Sequence, residues 1–570
     1  MKIKIFFATL LASLLIPFAS ASADDVTSIT TLSDFISYKA TPGSYRLDAD
    51  ISLVDNTSIT ASGYILDLNG HTLNVGAKTL LANGVITIKD TSTEQSGKIT
   101  GTSASPRIIQ VGGSGVITLE SGTFEGPDTY TLWLIAGAQA NLNGGTVTSS
   151  EVPAIVNIGT VTVDGATVYS SALDWPTYYG QSSSTLTLNS GTIESAGDYF
   201  AVLLSKPGSK FIMNGGLVRA KYIHPTNPGR GGVGLGLFKD TEFIMNGGKI
   251  ESHAQGIAAN GSQSDNAKIT INGGEIVSDT IGIYAPQRYG ETTITGGTIT
   301  GGDTALEIRA GKLNISGGVF TGGNGQYYVD PNDNGSAGHN VAISIVQHTT
   351  KQPIEVNITG GTFSANLPLI EANPLNNPEE AIEKISIKLG DDASSNRPVF
   401  NSTGTKTVVS EDKTNFIYSG LYTHNVTDYV ATDHGEIAEN SMEAVYPYHE
   451  VKNEIPADFP GGTVDVDMTR TLHGSLVTIK ATPAPGYYVD EIIVTDANGN
   501  RIPIINGNQF YAPNSDVGIH VVFAVKNPAT TDDHIDYFAF MGICVAAFIC
   551  SVSSLLLGKK MATIASRRGE

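Results

Sequence analysis

A six-residue phrase recurs along this chain, running apolar, Asn/Ser/Thr, Gly, Gly, any residue, apolar. Its cleanest copies are Leu142-Asn143-Gly144-Gly145-Thr146-Val147, Met213-Asn214-Gly215-Gly216-Leu217-Val218 and Met245-Asn246-Gly247-Gly248-Lys249-Ile250. Ile271 to Ile276, Ile294 to Ile299, Ile315 to Phe320 and Ile358 to Phe363 continue the series, with weaker copies around Gly122, Gly165 and Gly191. The second position of the pair falls at 122, 145, 166, 191, 216, 248, 274, 297, 318 and 361, so the intervals are 23, 21, 25, 25, 32, 26, 23, 21 and 43. The last interval holds either two repeats or one with a large loop.

A unit this short cannot bury its own core, so it must stack on its neighbours as a solenoid. The copies sit between runs that alternate with period two, such as Ala267-Lys268-Ile269-Thr270-Ile271, the pattern of half-buried strands. No stretch of 24–526 sustains a helical period. Three short strands and their turns fill one such repeat, one coil of a parallel β-helix. Thirteen or so coils about 4.8 Å apart give a rod of roughly 60 Å. The Gly-Gly pair marks a tight corner, since Gly tolerates positive φ and a preceding Asn or Ser can bond the turn. Stacked Asn side chains there predict a polar ladder. A β-propeller fits poorly, because its blades are nearly twice as long.

These phrases resemble the right-handed parallel β-helix repeats of large Gram-positive surface proteins, a pectin-lyase-like fold. Leu66-Asp67-Leu68-Asn69-Gly70-His71-Thr72-Leu73 is similar to an opening coil of that group, and Tyr418 to Tyr422 with Asp428 to Ala431 to a last repeat. The fold class expected is therefore all-β, with 24–448 as the β-helix. Residues 449–526 alternate more cleanly with less Gly, and resemble the small all-β "bacterial repeat" modules near wall anchors, a small β-sandwich-like module. Asn498-Gly499 between strands signals a hairpin. Asp496, Asn498 and Asn500 mimic half a calcium loop but lack its distal Glu.

The two ends point to export. Lys2 and Lys4, the apolar run Ile5 to Phe18 and Ala21-Ser22-Ala23 form a signal peptide over 1–23, cut between Ala23 and Asp24. Tyr537 to Leu557 has no charge and is long enough to span a bilayer as one transmembrane helix. Lys559, Lys560, Arg567 and Arg568 place the tail 558–570 on the cytoplasmic side. In the linker 527–536, Asn527-Pro528-Ala529-Thr530 before this span resembles a sortase sorting signal, although Thr531 stands where the family has Gly. The resemblance implies cutting after Thr530 and joining to the cell wall, with sortase as a partner; otherwise the helix is retained in the membrane. Either way the body is displayed at the cell surface.

The net charge is −21. Without Lys2 and Lys4, and with the four acids and four bases of 531–570 cancelling, the displayed part carries −23. Such a surface excludes bulk electrostatic binding to nucleic acid. The two cysteines, Cys544 and Cys550, lie in the apolar span, so there is neither a disulfide framework nor a Cys metal site before it.

Catalysis is not expected. Glycoside hydrolases of the resembled fold carry Asn-Thr-Asp, Asp-Asp, Gly-His-Gly and Arg-x-Lys in that order. Here Asp391-Asp392 follows Gly338-His339-Asn340, the other elements are missing, and neither Arg230 nor Arg309 has an evident acidic cluster at coil spacing. The insertions that lengthen the repeat are more suggestive. They are Asp174 to Gly180, Tyr222 to Gly232, His253 to Asn266, Tyr284 to Gly290 and Tyr327 to Asn334. At a common phase they would stack into one face bearing Trp175, Tyr178, Tyr179, Tyr222, Tyr284, Tyr289, Tyr327 and Tyr328. Aromatic rings beside polar groups suit sugars or protein partners. The expectation is an adhesin or ligand-binding protein for a glycan, or for a protein on a host or neighbouring cell. Its rivals are a structural spacer and, last, a polysaccharide lyase or hydrolase. No cofactor or metal is expected, with calcium at Asp330, Asp333 and Asn334 as the one candidate ion.

Overall fold

The computed structural model describes residues 26–259, 264–323, 339–349 and 351–526. The protein is a large all-β structure dominated by long parallel sheets, consistent with a β-helix. It divides into two compact units. The first runs to His449 and takes back Leu472–Ser475; the second takes Glu450–Thr471 and continues from Leu476.

The usual coil of the first unit has three strands, the first two running together as one in Thr160–Ser170 and in Thr185–Ser195. One coil runs Gln139–Leu142, the Gly-Gly corner, Thr146–Ser149, a second corner, Ile155–Asn157, and a third corner into the next coil. Each strand pairs in parallel with its counterpart one coil on, as Gln139 does with Thr160, Thr146 with Thr167, and Ile155 with Tyr178. First and second strands merge into one 30-stranded sheet, and third strands form a separate sheet of 14. Fourteen stacked strands extend over roughly 60 Å. The long interval before Gly361 is a single coil with a large insertion, because Val319–Gly322 pairs directly with Thr362–Ala365.

Alternation does what the period of two requires: in Lys268–Ile271 only Ile269 and Ile271 point into the buried interior. In-register stacking also piles like residues on like. Phe320, Phe363, Phe400 and Tyr422 form an internal column with ring centroids 4.8, 4.7 and 5.1 Å apart. Such offset ring contacts add to the apolar burial they already supply.

The two glycines of the corner do different jobs. The second holds positive φ, +74° at Gly216 and +83° at Gly248. The first stands where a Cβ would meet the backbone of the preceding coil, 2.3 Å from the Asn189 carbonyl oxygen at Gly215. The residue before them builds the ladder. The Nδ2 of Asn214 donates to Asn189 Oδ1, that of Asn246 to Asn214 and that of Asn272 to Asn246, each at 2.9 Å, and Thr295 Oγ1 closes on Asn272 Oδ1 at 3.1 Å.

The stack begins before the coil at Leu66. Val26–Ile29, Gly43–Leu47 and Ser62–Asp67 already pair in register. Between the first two lies a short helix, Leu32–Tyr38, which the alternation does not announce; Thr31 and Asp34 form its capping box. At the other end Gly420–Tyr422 pairs in parallel with the coil before it, then antiparallel with Met442–Pro447. That switch ends the parallel ladder.

In the second unit, Tyr487–Asp496 pairs antiparallel with Val517–Val525, and Leu476–Pro483 with Gly462–Val466. A four-stranded and a three-stranded sheet share a core of Val477, Ile479, Val494, Phe510 and Ile519. The Asn498-Gly499 turn is a hairpin closed on Asp496, whose Oδ1 accepts from the backbone N–H of Asn498 and Asn500 at 2.8 and 2.9 Å. Among the described residues no helix is long and apolar enough to cross a membrane. The signal segment through Asp24, the motif Asn527 to Thr531 and the span 537–557 lie outside them.

Candidate functional site

The insertions do not share one corner. Residues 171–177 and 221–232 follow a second strand, whereas 286–290 follow a third strand, and His253 to Asn266 encloses a third strand, Gln255–Ala259. Interval length cannot tell which of three corners receives the extra residues, because the Gly-Gly marker signposts only one of them.

The predicted aromatic face accordingly separates. Tyr178 points inward from the third strand and is fully buried, its hydroxyl accepting from Asn157 Nδ2 at 2.7 Å, so it is withdrawn from any surface. Tyr179, the next residue, faces outward in register between Val156 and Leu203. Trp175, 39% exposed, meets it edge to face at 6.1 Å. Tyr222 is half-buried at the start of the 221–232 loop. Tyr284 lies on the third-strand sheet further along, with the Arg309 guanidinium 5.1 Å from its ring. Tyr289 sits at a third corner, 69% exposed and at φ +56°, beside a shallow groove lined by Lys210, Asp240, Glu242 and Lys268. Tyr327, Tyr328, Asp330, Asp333 and Asn334 lie outside the described residues.

Trp175, Tyr179 and the 221–232 loop thus remain together, and the structure adds a polar cluster to them. Asp198, on the coil between, keeps only 10% of its side chain exposed; Arg230 Nη2 lies 3.1 Å and His224 Nε2 3.8 Å from its Oδ2. Burial holds the Asp198 carboxyl above the usual carboxylate range, outweighing the pull of Arg230 and His224, while nearby Asp174 adds to the rise and His253 opposes it. His253 Nδ1 is 3.0 Å from Asp279 Oδ2, and Lys221 Nζ is 2.6 Å from Asp279 Oδ1. Burial also raises the Tyr199 hydroxyl, with smaller contributions from Tyr179 and Asp174 beside it. An aromatic shelf therefore borders a partly buried carboxylate, an exposed guanidinium and a half-buried imidazole, an arrangement that can stack on a ring face and hydrogen-bond its polar edge.

Each of the two basic residues has an acidic partner. Arg230 is paired with Asp198, and Arg309 Nε with a fully buried Glu307 at 2.6 Å. The signal was present in the spacing. Asp174, Asp198, His224, His253 and Asp279 follow one another at 24, 26, 29 and 26 residues, which is coil spacing, each just after a second strand. Residue type varies along that column, so no phrase recurs to reveal it.

Among the described residues no group of three or more His, Cys, Asp or Glu side chains is placed to hold a metal ion. No family model, curated protein or solved structure matches this chain.

Proposed function

We propose that the protein is an exported, surface-displayed ligand-binding protein of the adhesin type. On this reading the parallel stack is a right-handed β-helix, carried by the C-terminal β module and a membrane or cell-wall anchor. It presents the second-corner patch to a glycan. The observation that carries this is the edge-to-face pair Trp175 and Tyr179 standing beside the Asp198, His224 and Arg230 cluster. A sugar offers the matching surface, one apolar ring face rimmed by hydroxyls.

The test is an array of glycans and matrix proteins probed with soluble 24–526 and with its Trp175→Ala variant. Binding to a defined glycan, lost in the variant while the fold is retained, supports the reading. A blank array with folded protein overturns it and favours a structural spacer, and binding indifferent to Trp175 overturns the second-corner patch as the site. The Asn ladder and Phe column speak for that second reading, since their bonds and ring contacts join one coil to the next.

A further inference from the structure

The first strands carry a charge ladder. On their outward face Lys210 stands in register with Glu242, Glu242 with Lys268, Lys268 with Glu291, Glu291 with Lys312 and Lys312 with Glu355, so six consecutive coils alternate in sign. Coil spacing sets neighbouring members about 4.8 Å apart and the two ends of the row roughly 24 Å apart. Part of the row is paired within the chain, Lys210 Nζ with Glu242 at 3.0 Å and Lys312 Nζ with Glu355 at 2.8 Å, yet Lys312 and Glu355 keep 56% and 52% of their side chains exposed. Exposed pairs of this kind contribute little to stability, so the stack itself has little need of strict alternation. Beside the ladder, on the same strands, runs an outward row without charge: Ile212, Ile244, Thr270, Thr293, Asn314 and Asn357.

The order of the signs makes the ladder complementary to itself. Read from one end it begins with Lys, and read from the other with Glu. A two-fold axis along the strand direction, midway between Lys268 and Glu291, lays the row of one copy on the row of another. Lys210 of either copy then faces Glu355 of the other, Glu242 faces Lys312, and Lys268 faces Glu291, the arrangement of an isologous interface. The uncharged row falls on itself in the same way, Ile212 on Asn357, Ile244 on Asn314 and Thr270 on Thr293. The spacings agree because one coil rise sets both rows. Sliding one copy by one coil puts like charge on like, and sliding it by two loses contacts at the ends, so a single register is favoured. The shorter charged run on the second strands lacks this property. Glu194, Arg219 and Glu251 read the same from both ends, and the same operation would set Glu194 against Glu251. The net charge of −21 repels a second copy at long range. Physiological salt screens that repulsion beyond about 8 Å, and the facing pairs act inside this distance.

We propose that the ladder from Lys210 to Glu355 is a docking face for a second copy of this chain, running in the opposite direction. The contact is small and charged, so the pairing is weak and operates where copies are crowded. For a surface-displayed protein, opposite directions suit copies on facing surfaces; the pairing itself does not rest on that display.

The test is cross-linking of the full-length chain in detergent at physiological salt with a carbodiimide, which joins an amine to a carboxylate only where the two touch. Links from Lys210 to Glu355 and from Lys312 to Glu242 are expected, identified by mass spectrometry. Within one copy these residues stand five and three coils apart, roughly 24 and 14 Å, so the links form only between copies. Lys268→Glu sets Glu against Glu at the centre of the pair, and Glu291→Lys sets Lys against Lys. Either variant alone is expected to lose the links about tenfold or more. Mixed in equal amounts, the two variants restore both central contacts, and the links should return. A role within a single stack cannot produce that rescue, because the ladder of each variant stays broken. Absence of both links in the wild type overturns the proposal, as do links that persist in either variant alone or fail to return in the mixture. Should a variant fail to fold, the wild-type links decide.

Discussion

The first and second corners of the coil are built from the same backbone stack and put it to opposite uses. At the first corner, Asn214, Asn246 and Asn272 succeed one another and each bonds to the last, so the column is satisfied by itself. At the second corner, Asp198, His224, His253 and Asp279 succeed one another at the same spacing but differ in kind. Their bonds cross between loops, and the loops vary in length. Repetition of one residue yields a structural column, and variation within a column yields local chemistry. The largest effects on stability should therefore come from the first corner, and the effects at the second should fall on binding and on the loops.

Gly248→Val is expected to do the most damage. Gly248 holds φ +83°, and a Cβ there would lie 2.6 Å from the Gly215 carbonyl of the preceding coil. A left-handed β-branched residue and an overpacked backbone contact together predict a loss of about 3 kcal/mol. Chemical denaturation followed by circular dichroism measures it. A loss below about 1 kcal/mol would mean that the corner can relax, and that the contrast between corners is overdrawn.

Asp90 comes next, as the structural counterpart of Asp198. Burial pushes its carboxyl up, but hydrogen bonds, among them the backbone N–H groups of Ser92, Gly97 and Gly70, outweigh it and leave it below the usual range. A folded-state value below the unfolded one stabilises above the unfolded value, and that contribution is lost as pH falls through the folded value. Asp90→Asn is expected to cost about 1.5–3 kcal/mol at neutral pH, the range for hydrogen bonds to a charged group, and to flatten the acid limb of stability against pH. An unchanged acid limb would show that Asp90 plays no part in it.

Asn246→Ala should cost less, about 1 kcal/mol, because Asn246 both donates to Asn214 and accepts from Asn272, yet is exposed to water that competes for both bonds. Asn189, at the end of the run, has one such bond and should lose about half as much on substitution. Equal losses at the two positions would mean that the ladder is no more than a row of solvated amides.

Much of the architecture was legible because the first corner constrains the sequence so tightly. Gly fills both positions of the pair in the clear copies, and a residue with both donor and acceptor continues the ladder; alternation then sets the faces. The site was less legible for the complementary reason. Trp175 and Tyr179 were visible as aromatics in an insertion, but Tyr178, one residue away, differs from Tyr179 only in strand parity, and the ends of the third strands carry no marker. Asp198 and His253 looked like unremarkable polar residues, since what joins them to Arg230 and Asp279 is a neighbouring coil rather than a motif. The helix Leu32–Tyr38 spans too few residues to establish a period, and its capping box was the one local sign of it.

The smallest expected effect on stability separates the corners most sharply. The Asp198 carboxyl sits above its unfolded value, so its contribution is present in acid and is lost as pH rises through the folded value. Asp198→Asn should therefore leave stability at neutral pH unchanged or slightly improved, within about 0.5 kcal/mol, where Asp90→Asn is costly. Its consequence should appear instead in the 221–232 loop, which loses the partner of Arg230 and His224 and keeps the contacts of Lys221 and Pro228 with the following coils. Hydrogen exchange across 222–232 should be faster in this variant than in the wild type, with the strands on either side unaffected. A large loss of stability would make Asp198 a structural carboxylate like Asp90, and the division of labour between the two corners would fail.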